Sequence, residues 1–280
     1  MRLNLDNRQR AILAEIGVRV WSPPSGNMLP TRLPSPAQKQ TPATGLPVQK
    51  LAATPVTLSN LPVTLSNLPV AFSPLPVGLA QLDWPALSQA AQACQACGLC
   101  QGRQHSLFAS GSAAPGQASD WLIVGDAPTD AEDLAGHAFV GEEGELLDAM
   151  LQAVGLSRHA NHTGPEHTVV TSAVKCHPPD NRNPSAEEIA ICHAYLQRQI
   201  ELLQPKVILA LGRFAAQALL TPGLGDAASQ PLGKLRGQVH RAHGRPVVVS
   251  YHPRYLLRSP ADKAKAWADL CLAKQQVHPD

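Results

Sequence analysis

Short apolar runs alternate with segments of helical periodicity in the C-terminal two-thirds of the chain. Four runs are rich in β-branched residues and apolar on both faces, as buried parallel strands are. They cover residues 121–125, 168–174, 206–212 and 246–251. Helices are predicted at residues 142–154, 185–203, 214–220 and 261–274. Ser185 followed by Glu188 is a capping box, which predicts where the second helix starts.

This alternation predicts an α/β fold. Strands that take turns with helices favour a parallel sheet covered by helices on both faces. We therefore expect a three-layer α/β/α sandwich with a short central sheet of about four parallel strands. Residues 83–280 should form this domain.

The N-terminal part of the chain has a different pattern. Residues 1–20 contain a short amphipathic helix pattern that either packs on the main domain or binds a partner. Residues 21–82 hold most of the excess of the 26 prolines and a tandem Pro-Val-Thr-Leu-Ser-Asn-Leu repeat that begins at Pro55 and again at Pro62. Proline in each copy excludes a coiled coil. This segment is predicted to be a disordered linker.

The composition of the chain indicates where the protein is found in the cell and how its cysteines are used. No apolar run approaches the length of about 20 residues that a membrane helix needs, and residues 1–20 lack the apolar core of a secretory signal. We expect a cytoplasmic protein without membrane association. Six cysteines in 280 residues are too few for a disulfide scaffold. Their clustering, with Cys94 near Cys97 and Cys176 before Cys192, points to a metal centre.

Polar segments follow three of the predicted strands. Asp126 comes directly after the first strand, Cys176 and His177 follow the second, and His252 follows the fourth. Ligands of open α/β sheets bind outside the carboxyl ends of the strands. These segments should therefore converge on one site.

Several motifs together resemble one enzyme family. They are Cys-x-x-Cys-x-Leu-Cys-x-x-Arg at 94–103, Val-Gly-Asp-Ala-Pro at 124–128, Phe-Val-Gly at 139–141, Val-Lys-Cys-His-Pro-Pro at 174–179 and His-Pro-Arg-Tyr-Leu-Leu-Arg at 252–258. In this order they resemble the uracil-DNA glycosylase superfamily, specifically its iron–sulfur family 4. The resemblance runs from about Cys94 to Leu270.

The resemblance implies that the protein cleaves the glycosidic bond of uracil in DNA. It assigns to Asp126 the carboxylate that positions water beside the sugar, with Glu132 as a supporting acid. It makes His252 the hydrogen-bond donor to uracil O2 as negative charge develops on the leaving base.

The resemblance also implies where the base binds. A base must leave the helix before a glycosylase can act on it, and Phe139 occupies the position of the aromatic residue that stacks on it. Ala127 and Ser172 are the other implied substrate contacts.

The implied DNA contacts lie near the C-terminus. Leu256 and Leu257 would fill the gap left by the extruded base. Arg254, Arg258 and Lys263 would contact phosphates. Uracil-containing DNA, single- or double-stranded, is the expected partner, and a monomer is expected.

In family 4, two early and two later cysteines bind a [4Fe–4S] cluster. These positions correspond to Cys94, Cys97, Cys176 and Cys192. Zinc is the alternative metal, although the wide second spacing is less like that of a zinc ribbon. The cluster is expected to brace the loops beside the DNA without exchanging electrons during catalysis.

The sequence differs from the family pattern at three positions. Asp126 stands where the family has glutamate, Thr129 where it has glycine, and Ser172 where it has the base-reading asparagine. A serine hydroxyl cannot make the bidentate contact of an amide. Two hypotheses follow: an active, slower glycosylase, or a DNA-binding iron–sulfur protein of the same fold whose base-excision activity is weak, lost or altered in specificity.

Overall fold

The computed structural model describes residues 72–113, 116–161, 163–224 and 230–278. The predicted N-terminal helix and the repeats of the predicted linker lie outside these residues. Described residues that precede the predicted domain start at residue 83 also contribute to the core. Leu79 is buried, and Arg198 Nε donates to Leu82 O at 2.8 Å. The boundaries given above for the N-terminal helix, the linker and the domain, at residues 20 and 82, stay predictions.

Six strands form one mixed sheet in the order β1-β3-β2-β4-β6-β5. They are β1 (Ser110–Gly111), β2 (Trp121–Gly125), β3 (Thr168–Ser172), β4 (Val207–Leu211), β5 (Val239–Ala242) and β6 (Arg245–Ser250). The four central strands are the predicted ones, and they are parallel to one another. This confirms the α/β class with its parallel core.

The sheet is larger than predicted because two short edge strands pair antiparallel to it. β1 has only two residues. β5 is mostly exposed or half-buried, so neither has the apolar run of a buried strand. β5 and β6 form a hairpin through His243 and Gly244, whose φ angles are 49° and 74°. Positive φ at both central residues is the geometry of a tight hairpin turn.

Helices cover both faces of the sheet. They are α1 (Trp84–Ala93), α2 (Asp130–Ala135), α3 (Gly141–Ala153), α4 (Ala186–Leu203), α5 (Arg213–Leu224), α6 (Leu232–Leu235), α7 (Pro253–Arg258) and α8 (Lys263–Val277). The predicted capping box at Ser185 is present at the start of α4. The last predicted helix, 261–274, corresponds to the later α8, which follows a 3-10 turn at Pro260–Asp262.

The core is divided by the sheet into two apolar layers. In β2, Leu122 and Val124 pack on one side with residues of α1, α4 and α5. Trp121 and Ile123 pack on the other side with residues of α3, α7 and α8. This alternation follows from the period of two along a strand, and it gives the predicted three-layer sandwich.

The parallel strands end in register at one edge of the sheet. Gly125 at the end of β2 is paired with Ser172 at the end of β3, and Leu211 of β4 is paired with Ser250 of β6. The residues that follow these ends are therefore neighbours.

A buried ionic network fixes the end of β6, just before His252. Asp269 of α8 is fully buried. It accepts hydrogen bonds from Arg236 Nε at 3.0 Å, Ser250 Oγ at 2.7 Å and Gly237 N at 3.1 Å. The network links α8 to the strand that presents His252.

Replacing Asp269 with alanine should destabilise the fold strongly. The change leaves the mostly buried Arg236 guanidinium without its anion, and breaking a buried pair in this way costs about 3–5 kcal/mol. Urea unfolding followed by circular dichroism measures this loss. Glu201→Ala, which removes an exposed partner of Arg198, serves as the control and should cost less than about 1 kcal/mol. Equal losses in the two variants would contradict the importance of the network.

Candidate active site and cysteine cavity

One small pocket at the carboxyl edge of the sheet gathers the sequence-predicted catalytic and base-binding residues. Its walls include Asp126, Ala127, Glu132, Phe139, Ser172 and His252. Ser172 is the last residue of β3, His252 follows the end of β6, and the others lie in the segment between β2 and α3. The pocket opens toward a larger cleft, because Asp126, Ala127, Pro128 and His252 line both.

The Asp126 carboxylate lies at the N-terminus of α5. Its Oδ1 accepts hydrogen bonds from Phe214 N at 2.8 Å and Ala215 N at 3.0 Å. These N–H groups have no partner within the helix, and the helix dipole favours an anion there. Burial nevertheless raises the pKa of Asp126 to about 6, while the two N–H groups and the nearby Arg254 and Arg213 oppose that rise.

The carboxylate fits there only because residue 212 is glycine. Gly212 has φ 107°, and a Cβ on it would lie 2.2 Å from Asp126 Oδ2. Any side chain at this position would be strained and would also displace the carboxylate.

Thr129 and Glu132 form a capping box at the start of α2. Thr129 Oγ1 accepts from Glu132 N at 3.3 Å, and Glu132 Oε2 accepts from Thr129 N at 2.8 Å. The other oxygen, Oε1, accepts from Phe139 N at 2.5 Å. Thr129, which departs from the family pattern, is therefore the N-cap of a short helix that the sequence analysis missed. Glu132 positions Phe139.

Phe139 has a strained backbone that its neighbours hold in place. It is 2% exposed and has φ 58°, a region that bulky residues avoid. Arg158 donates from Nη1 to Ala138 O at 2.9 Å and from Nη2 to Phe139 O at 3.0 Å. A Cβ on Gly125 would lie 2.7 Å from Phe139 Cζ, so that glycine makes room for the ring.

His252 is a neutral hydrogen-bond donor at the pocket wall. Its Nδ1 accepts from Arg254 N at 3.2 Å as the N-cap of α7. The ring proton of the neutral imidazole is therefore assigned to Nε2. Burial, followed by the nearby Arg254, lowers the pKa of His252 to about 3. Its ring stacks on that of Phe139 with centroids 5.2 Å apart.

Arginines line the cleft outside the pocket. The cleft has a volume of about 220 Å³, and Arg182, Arg254 and Arg258 lie along it with Tyr255. Arg254 is paired with Glu143 at 2.6 Å. Arg182 was not among the predicted DNA contacts, although it follows the cysteine motif after β3. Tyr255 was also missed.

The predicted role of Leu256 as a wedge in DNA is wrong. Leu256 is 1% exposed and packs in the core with Leu146 and Leu270. Neighbouring residues of a helix point in different directions, so Leu257 is 37% exposed. Leu257 is therefore the leucine of this pair that reaches solvent. Lys263, half-buried, lines a small apolar cavity beside Leu256.

A second cavity holds the predicted cluster ligands. Its lining includes Cys94, Cys97, Cys176 and Cys192, together with Cys100. All are free cysteines. In the described part of the chain, no group of three or more histidine, cysteine, aspartate or glutamate side chains is arranged to hold a metal ion. The four sulfurs thus share a cavity without closing around one common ion.

The chemistry of this cavity suits an anionic centre. Arg103 Nη1 donates to Cys176 Sγ at 3.0 Å. Lys175 is 2% exposed, and among the residues that the structure describes its Nζ bonds two neutral oxygens, Thr171 Oγ1 at 2.6 Å and Ser172 O at 2.8 Å, and no carboxylate. A buried ammonium without a carboxylate partner needs another negative group nearby. Thiolates bound to a metal would supply that charge.

A comparison with protein-family models agrees with this fold. The model of the Uracil DNA glycosylase superfamily matches residues 114–271, which is more than half of the 280-residue chain. The chain therefore belongs to the uracil DNA glycosylase superfamily.

Its relatives place it with the type-4 branch of that superfamily. The type-4 uracil-DNA glycosylase of Pyrobaculum aerophilum is 34% identical over 195 residues, 68% of this chain and 93% of the relative. The type-4 enzyme of Archaeoglobus fulgidus is 40% identical over 143 residues, 50% of this chain and 67% of the relative. That of Thermotoga maritima is 32% identical over 180 residues, 64% and 85% of the two chains.

Replacing Asp126 with asparagine should stabilise the fold above pH 6. The folded pKa of about 6 exceeds the ordinary value of 3.8, so ionised Asp126 lowers the free energy of unfolding. This cost is complete above pH 6 and disappears as the pH falls to about 4. Asparagine stays neutral and keeps an oxygen for Phe214 N and Ala215 N. Urea unfolding at pH 8 and pH 4.5 should show a gain that shrinks at the lower pH.

Asp120→Asn is the control, because it should change the free energy of unfolding in the opposite direction. Burial alone would raise the pKa of Asp120, but hydrogen bonds from Lys206 Nζ and His167 N outweigh it and lower the pKa. Its ionised form therefore stabilises the fold, and this variant should lose stability at pH 8. Loss of stability in both variants would contradict the proposed burial of an unfavourable charge at Asp126.

Proposed function

We propose that this protein removes uracil from DNA by hydrolysing the N-glycosidic bond of a base flipped into the site that this small pocket and the adjoining cleft form together. The observation that carries the proposal is the convergence of Asp126, Phe139 and His252 on one pocket beneath an arginine-lined cleft. The type-4 relatives bear the name uracil-DNA glycosylase.

Asp126 would position the attacking water. Both of its backbone hydrogen bonds go to Oδ1, which leaves Oδ2 able to accept a hydrogen bond from water. The anion also lies where it would stabilise positive charge that develops on the sugar. The pKa of about 6 means that the carboxylate is ionised at neutral pH.

His252 would stabilise the departing base. Its Nδ1 already accepts a hydrogen bond from the backbone, so Nε2–H is the group that can donate to uracil O2. Such a donor acts most strongly when negative charge develops at the acceptor in a buried site. Because its pKa is about 3, the ring neither gains nor loses this ability between pH 5 and pH 9.

The cleft would hold the DNA strand around the flipped nucleotide. Arg182 lies on one wall, and Arg254 and Arg258 lie on α7. Guanidinium groups bind phosphates without reading sequence. Leu257 would occupy the space that the base leaves, as apolar side chains do when a base step is opened.

Wild-type protein should release uracil from a uracil-containing oligonucleotide and leave an alkali-labile abasic site. The single-turnover rate should rise with pH through about 6, as Asp126 loses its proton, and should not fall again up to pH 9. Asp126→Asn should lower the rate by roughly 100-fold or more. Denaturing gels after alkali treatment measure the product.

The control is Glu142→Gln, which changes an exposed carboxylate at the start of α3. Its rate should match that of the wild type at each pH. Uncleaved substrate at stoichiometric wild-type protein, with DNA binding retained, would instead identify a DNA-binding protein of this fold that has lost the chemistry.

We further propose that Cys94, Cys97, Cys176 and Cys192 hold a [4Fe–4S] cluster. Four cysteine thiolates are its usual ligands. A single zinc ion would need four sulfurs within about 4 Å of one another, which is closer than a cluster requires. Burial raises the pKa of Cys176 to about 11 and that of Cys192 to about 12, so these thiols stay protonated unless a metal replaces the proton. The cluster would stabilise the fold of this region.

Anaerobically purified protein should contain about four iron and four sulfide per chain. Cys176→Ser should lose most of this iron, as measured by metal analysis and visible absorption. Cys100→Ser is the matched control, because Cys100 lines the same cavity but is not among the proposed ligands. Stoichiometric zinc without iron would overturn the cluster, and iron loss in both variants would overturn the ligand assignment.

A further inference from the structure

Phe214 lies at the arginine-lined cleft and outside the small pocket. It is half-buried and lines the cleft beside Asp126. The residues that line the small pocket, all within the described chain, do not include it. Phe139, by contrast, is 2% exposed and lines that pocket. Phe214 is therefore placed to contact something other than the flipped base.

The position of Phe214 is fixed by three kinds of contact. It lies in the first turn of α5, where its N–H donates to Asp126 Oδ1 at 2.8 Å. Its side chain packs against the apolar layer that contains α1, α4 and α5. The exposed Arg213 places its Cζ 4.6 Å from the centroid of the Phe214 ring. A ring that is already ordered loses little conformational entropy when a ligand packs on it.

The surroundings of this ring suit an unpaired nucleic acid strand. Arg182, Arg254 and Arg258 line the same cleft, and Arg213 lies over the ring itself. Proteins that bind single strands combine a positively charged groove with aromatic rings on which bases stack, and arginine adds a cation–π contribution. The cleft beside Phe214 has both components.

We propose that Phe214 is a stacking platform for the base next to the flipped nucleotide, a contact that forms when this neighbouring base is unpaired. The inference rests on the proposed function, since it assumes that the small pocket and the adjoining cleft receive the flipped nucleotide. It gives the cleft a second contact surface, distinct from the arginines that would hold phosphates.

The order of groups along a bound strand supports this role. Asp126 would lie beside the sugar of the flipped nucleotide, and Phe214 N is bonded to that same carboxylate. The neighbouring nucleotide is joined to this sugar through one phosphate, so its base enters the cleft close to Asp126. In a duplex that base is paired and stacked on the helix. In a single strand it is free to stack on the ring, and such a contact is worth about 1–3 kcal/mol.

The test uses fluorescein-labelled single strands in which tetrahydrofuran replaces one nucleoside, because this product analogue has no glycosidic bond to cleave. A second strand also lacks the bases on both sides of that position. Fluorescence anisotropy gives the two dissociation constants. Wild-type protein should bind the first strand about tenfold more tightly. In Phe214→Leu, which keeps an apolar side chain without a ring, this ratio should fall to about two or less.

Phe72→Leu is the matched control. Phe72 is 48% exposed and lies near Gly98, where a Cβ would be 3.6 Å from its Cζ. It is not among the residues that line the cleft. This variant loses the same ring and should keep the wild-type ratio. Phe214→Trp should also keep it, because tryptophan stacks on bases as well. If Phe214→Leu does not fold, Phe214→Met replaces it, since methionine fills apolar space without a ring.

The outcomes separate the platform from the enzyme activity. A ratio that falls in Phe214→Leu and is kept in Phe72→Leu and Phe214→Trp supports the proposal. Equal dissociation constants in the wild type, or the same ratio in wild type and Phe214→Leu, overturn it even when uracil is released. The expected ratios without release of uracil from a uracil-containing strand would contradict the glycosylase activity and leave the platform supported.

Discussion

The pocket depends on the close approach of the Gly212 backbone to the Asp126 carboxylate. A Cβ at residue 212 would lie 2.2 Å from that carboxylate. Without it, Asp126 at the end of β2 reaches the first turn of α5, which begins directly after β4. Two strands and a helix thus meet at one charged group. Its position is fixed by backbone geometry, so the aspartate needs no long side chain to reach the edge of the pocket.

The wall of the pocket that contains Phe139 is held in a strained backbone conformation. Phe139 adopts a φ of 58°, and such conformations cost on the order of 1–3 kcal/mol. Glu132 accepts from its N–H, and Arg158 donates to its carbonyl. Both partners are themselves anchored, Glu132 by the capping box with Thr129 and Arg158 by Asp148 at 2.7 Å. Thr129 in place of the family's glycine therefore helps to hold Phe139 in its strained conformation.

The central fold could be predicted from the sequence because each central strand has its own continuous run of apolar residues. These runs predict the four parallel strands. The polar residues that follow the strands predict the edge of the sheet where the pocket lies. The edge strands β1 and β5 lack such runs, and α2 is a six-residue acidic helix, too short for a periodic pattern. Leu256 and Leu257 look alike in the sequence, and only the packing of α7 on α3 and α8 separates the buried one from the exposed one. Arg182 was missed because the cleft is formed by distant segments.

The small pocket around Asp126 and the cysteine cavity share one turn of backbone. Ser172 Oγ bonds Val174 O, and Lys175 Nζ bonds Ser172 O, so residues 172–175 form a closed unit. Lys175 N also donates to Cys192 Sγ at 3.3 Å, and Cys176 follows directly. A centre that fixes Cys176 and Cys192 would therefore also hold this turn, because Lys175 contacts both Cys192 Sγ and Ser172 O. A structural cluster placed here would hold the pocket wall at Ser172 in place through these contacts, and no electron transfer is needed to connect it with the pocket.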